Sequence, residues 1–210
     1  MAKRGLWLKL ATVPAVITLS LLGLTGSGRA SDGVQMNDDC DPTSFNSIGL
    51  GEICQGDGET SFTQFITQVS TLGNAPAWNF DPKTLHVQAG EPISLENDGG
   101  ETHTFTKVAA PGGGFVIPLN GALAKFGLGT PRPECVGPNG GMPDVVKGIL
   151  LTPAAPSATN VFVPSDGEAT VATGPNTPLT GGTYLFQCCI HPWMQTTVTV
   201  GPGEGADKES

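Results

Sequence analysis

The stretch that most constrains this chain is Tyr184-Leu185-Phe186-Gln187-Cys188-Cys189-Ile190-His191-Pro192-Trp193-Met194. It places a thiol, an imidazole and a thioether within seven residues, at a spacing of C-x2-H-x2-M. Soft thiolate and thioether ligands combined with imidazole suit copper. The adjacent cysteines are told apart by strand phase. Tyr184, Phe186 and Cys188 alternate and share one strand face, which two aromatic rings mark as inward. Cys188 is therefore expected to point to the metal and Cys189 away from it, because a one-residue slip would turn the whole set to the other face.

A fourth ligand has to come from elsewhere, and the chain has three histidines, His86, His103 and His191. His86 stands between Leu85 and Val87, so its strand turns it outward and it reads as a surface residue. His103 opens a strand, Thr102–Val108, after Ile93–Asn97 and the Gly99-Gly100 turn. His103, Cys188, His191 and Met194 then make two imidazoles, one thiolate and a weak axial thioether, the blue-copper electron-transfer arrangement. The thiolate must be deprotonated to bind, and each imidazole needs its other nitrogen held to fix the tautomer.

Together, EPISLENDGGETHTFT and GGTYLFQCCIHPWM resemble the plastocyanin-like cupredoxins, and the C-x2-H-x2-M spacing is most similar to the amicyanin-type ligand loop. The resemblance spans about Trp78 to Val200. It implies a Greek-key β-sandwich with one type 1 copper that cycles between Cu(I) and Cu(II) at His103, Cys188, His191 and Met194. It also implies that the edge of His191, flanked by Pro192 and Trp193, is exposed as the electron's exit.

Cysteine number agrees with a metal at Cys188. Five Cys in an exported chain leave one over. With Cys188 on a metal, Cys40, Cys54, Cys135 and Cys189 form an even set with three possible pairings. Cys40 and Cys54 lie 14 apart in one Gly-rich segment, which makes local pairing easiest and leaves Cys135 for Cys189. Export itself is expected from residues 1–30. Lys3, Arg4 and Lys9 precede an apolar run, and Gly28-Arg29-Ala30 offers small residues before a cut. The same run, uncleaved, would serve as a membrane anchor. The expected location is periplasmic or extracellular. Without those thirty residues the chain holds six basic and nineteen acidic residues, net −13. Such a charge argues against nucleic acid as partner and permits steering toward a basic redox protein.

The organisation expected is all-β. Residues 31–75 form a disulfide-tied segment with one helix, on which Phe62, Phe65, Ile66, Val69 and Leu72 recur at helical spacing. Thr60 or Ser61 caps its start and Gly73 ends it. Phe62, Phe65 and Ile66 are expected to pack on the sandwich. Residues 76–200 form the sandwich, as short strands between Gly/Pro turns. It carries a long loop insertion at about 109–157, in which Gly112–Phe115 and Pro131–Pro133 read as irregular and Leu119–Phe126 as a short helix. Residues 201–210 read as a disordered polar tail.

The function expected is a monomeric one-electron carrier with no enzymatic activity. The runner-up is a copper-handling protein without a redox role, though only four Met are present for the exposed clusters that exchange favours. A multicopper oxidase or nitrite reductase needs more His than the chain has. A metal-free adhesion sandwich would leave the paired motifs unexplained.

Overall fold

The computed structural model describes residues 33–136 and 160–202. The first thirty residues, the end of the insertion from 137 and the tail from 203 lie outside them, so the leader, anchor and tail expectations are not addressed. Among the described residues no helix is long and apolar enough to cross a membrane.

Among the described residues, nine strands form two packed sheets. They are β1 (Gly33–Asn37), β2 (Asn79–Asp81), β3 (Thr84–Gln88), β4 (Ile93–Asn97), β5 (His103–Val108), β6 (Asn160–Val163), β7 (Glu168–Val171), β8 (Gly182–Gln187) and β9 (Gln195–Gly201). One sheet runs β2-β1-β4-β7 and the other β3-β9-β8-β5-β6. The chain changes sheet repeatedly, as between β3, β4 and β5, which makes this a sandwich and not a meander. Period-2 burial is clear in β3, where Leu85 and Val87 face in while Thr84, His86 and Gln88 face out. His86 is exposed, as its phase predicts. Phe105 and Phe186 stack at 4.0 Å between centroids within one sheet, and Phe80 reaches Phe105 from the other at 5.8 Å.

The segment before residue 76 is more than a cap. Its strand β1 lies between β2 and β4, antiparallel to the first and parallel to the second. The sandwich is therefore incomplete without it, and the expected boundary at 75/76 runs through a hydrogen-bonded sheet. Helix α1 (Pro42–Phe45) follows, with Asp41 capping it through the backbone N–H groups of Thr43 and Ser44. Helix α2 (Phe62–Leu72) starts at Ser61 in a reciprocal capping box with Gln64 and ends at Gly73, where φ is 78°. Gly73 is doubly required, because a Cβ there would meet the Phe126 ring at 2.6 Å. Phe65 and Val69 form the buried face of α2.

The described part of the insertion is built, not loose. It forms α3 (Ile117–Leu123), a 3-10 turn over Ala124–Phe126 and α4 (Pro133–Val136). Gly112–Phe115 and Pro131–Pro133, expected as irregular loop, meet in a parallel bridge at Gly113 and Pro131. The buried Gln187 side chain binds both backbone groups of Gly112. Gly114 packs so closely on the Cys189 carbonyl that a Cβ would lie 1.8 Å from its oxygen. The Cys40–Cys54 and Cys135–Cys189 disulfides are both formed, and Cys188 is the free cysteine.

Candidate metal centre

β5 and β8 are neighbouring antiparallel strands, and β8 pairs with β9. His103 is the first residue of β5, Cys188 follows the end of β8, and His191 lies in the turn before β9. The turn is closed by two backbone hydrogen bonds, from Met194 N–H to the His191 carbonyl and from Cys188 N–H to the Met194 carbonyl, each 2.9 Å. One end of the sandwich thus gathers His103, Cys188 and His191, with ligand atoms all within 4.8 Å of one another. Met194 is fully buried on the same turn.

The donor atoms lie close together. Nδ1 of His103 lies 3.8 Å from Cys188 Sγ and 3.3 Å from His191 Nδ1. The backbone N–H groups of Thr104 and His191 approach the sulfur at 3.4 and 3.5 Å. Burial works against a Cys188 thiolate, but hydrogen bonds and charge from His103 and His191 outweigh it and hold the thiol well below its usual range. Burial likewise lowers the His191 pKa, yet the charge of Glu101 and the hydrogen bonds that the imidazole makes to Cys188 and Glu101 raise it to about 10. One thiolate and two Nδ1 donors, with a buried thioether on the same turn, fit copper.

Behind the donors stand residues that motif reading does not find. His103 Nε2 lies 2.9 Å from Asp38 Oδ2, both side chains being fully buried. Asp38 also accepts from the backbone N–H groups of Cys40, Gly100 and Glu101. Burial opposes its charge, but the His103 hydrogen bond and charge and the backbone donors lower its pKa to about 2. The Gly99-Gly100 pair makes this wrapping possible, since a Cβ on Gly99 would sit 2.2 Å from Asp38 Oδ2 and one on Gly100 2.1 Å from the Gln55 carbonyl. His191 Nε2 faces Glu101 Oε2 at 3.4 Å. A carboxylate two residues before His103 and a Gly-Gly pair were the visible signals; nothing local pointed to Asp38, 65 residues from its partner.

The exposed His191 edge expected from the family resemblance is absent. His191 is only 2% exposed. Phe65 of α2 meets its ring edge-on at 5.9 Å, and Trp78 and Trp193 flank it at 6.4 and 5.5 Å. The added helix buries aromatic surface of its own by covering the site, so the imidazole edge is not a solvent port.

No family profile and no curated protein matches the chain. Solved structures similar to it include an amicyanin variant in its reduced Cu(I) form at pH 4. That match has 16% identity over 60% of this chain and 76% of that one, with a TM-score of 0.32. A purple cupredoxin from Nitrosopumilus maritimus matches with 14% identity over 63% of this chain and 90% of that one, TM-score 0.33. Values this low leave the site to stand on its own geometry. The two-sheet sandwich with a His-Cys-His cluster at one end is consistent with a cupredoxin-like protein.

Proposed function

We propose that this chain is an exported one-electron carrier, with a single copper held by His103, Cys188 and His191 and, more weakly, by Met194. The observation that carries this reading is the convergence of three fully or nearly fully buried donors, both imidazoles being held from behind by carboxylates. Copper bound there would alternate between Cu(I) and Cu(II). The chain's own residues keep the donors in place. Asp38 and Glu101 set the tautomers of His103 and His191, and the N–H groups of Thr104 and His191 donate toward the sulfur. Little can relax when the metal changes charge, which suits electron transfer. Burial also weighs against copper handling, which calls for donors that a second protein can reach. The acidic balance favours a basic redox partner.

Copper reconstitution of the purified protein tests the reading. The expected result is one copper per chain and an intense visible band from the Cys188 thiolate. Cys188→Ser should remove the band while circular dichroism still reports the sandwich. A band that survives Cys188→Ser and disappears with Cys189→Ser would reverse the ligand assignment.

A further inference from the structure

Glu101 precedes the ligand His103 by two residues but faces the other histidine. Its Oε2 lies 3.4 Å from His191 Nε2 and accepts a 2.6 Å hydrogen bond from the indole Nε1 of Trp78. Its backbone is anchored separately. It bridges to Cys54, donates its N–H to Asp38 and accepts from Asn97 Nδ2. Indole and backbone together therefore aim the carboxylate. Phe65, Trp78 and Trp193 pack around the ring, and a cavity of about 230 Å³ beside Phe65, lined almost wholly by apolar side chains, reaches both Glu101 and His191. An acceptor at Nε2 selects the tautomer with hydrogen on Nε2 and a lone pair on Nδ1, the nitrogen that faces His103.

Resting on the copper reading above, we propose that Glu101 is a positioning residue for the metal, which keeps His191 Nδ1 turned to the cluster and favours Cu(II) over Cu(I) by its negative charge. A charge this close in a buried, aromatic setting is weakly screened, so it stabilises the divalent ion more than the monovalent one. His103 is served in the same manner by Asp38, so both imidazoles are fixed from the side away from the metal.

The test uses the full chain with Glu101→Gln, which keeps the volume and an acceptor for Trp78. Affinities for Cu(II) and Zn(II) are measured by chelator competition, and the midpoint potential by redox titration. Both affinities should fall roughly ten- to a hundredfold, and the potential should become more positive. Nitrogen-15 spectra of the Zn(II)-loaded wild type should show His191 protonated at Nε2. Glu101→Asp keeps the charge but shortens the reach, so its affinity should fall while its potential moves less. Wild-type affinity and potential in Glu101→Gln, or wild-type affinity in Glu101→Asp if the first variant does not fold, would overturn the proposal and leave Glu101 a purely structural partner of Trp78 and Cys54. A wild-type protein that binds neither metal would sink the copper reading along with it.

Discussion

Asp38 shows how much one buried residue organises at this end of the sandwich. Its two oxygens accept from three backbone N–H groups and one imidazole, two donors on each oxygen. Asp38→Asn keeps the shape but turns an amide NH2 toward two of those donors, whichever way it flips. The expected loss of stability is about 3 kcal/mol, the range for breaking a buried charged pair. Denaturant unfolding measures it, and a loss below about 1 kcal/mol would mean that water or a backbone shift replaces the carboxylate. At this scale the sequence discloses ligands better than their supports. A Cys, a His and a Met at fixed spacing are chemically rare, whereas one Asp among the acidic residues of a chain looks like any other.

Helix α2 was legible as an element but not in its role. Ser61, the spacing of Phe65 and Val69, and Gly73 mark its start, face and end, because caps and periodicity are local. Its position over His191 depends on contacts with Trp78 and Phe45, at 4.7 and 5.4 Å from the Phe65 ring, which no local pattern encodes. Phe65→Ala should cost about 3–5 kcal/mol, typical for a buried aromatic truncated to a methyl, and should leave His191 open to solvent. Thermal unfolding together with carbethoxylation of His191 checks both effects. A variant of wild-type stability whose His191 is still protected would show that the helix does not cover the ligand.

For the molecule as a whole, the insertion is tied to the strand that leads to Cys188, and the N-terminal segment to His103 through Asp38. The Cys135–Cys189 disulfide closes a loop of 54 residues next to Cys188. Gln187 and Gly114 join the same insertion to the strand by hydrogen bonds and close packing. By loop-closure entropy such a crosslink contributes about 4 kcal/mol. Cys135→Ser should lower the melting temperature and leave Cys189 as a thiol beside the metal ligand. Weakened copper retention or mixed disulfides are the expected consequence, read by copper content and by peptide mapping under non-reducing conditions. Full copper retention with an unchanged melting temperature would show that the packing of Gly112–Phe115 suffices without the crosslink.

Of three open disulfide pairings the sequence favoured the one observed, and by itself it determined the strands after Trp78, the capped helix, the outward His86, the inward Cys188 and one cysteine left unpaired. Each of these follows from short-range rules of period, capping or parity. The four proposed ligands were likewise readable, since their chemistry is carried by residue type and spacing. Tertiary structure decided what surrounds them. It inserted Gly33–Asn37 between two strands that follow it by more than forty residues, and it brought Asp38 to His103 and Glu101 to His191. It also closed Phe65 over an imidazole expected to be exposed. Those outcomes depend on which apolar faces and which unpaired polar groups meet when the sheets and helices pack. Burying a carboxylate or a ring is favourable only where distant partners satisfy it, and a linear sequence does not say where those partners will lie.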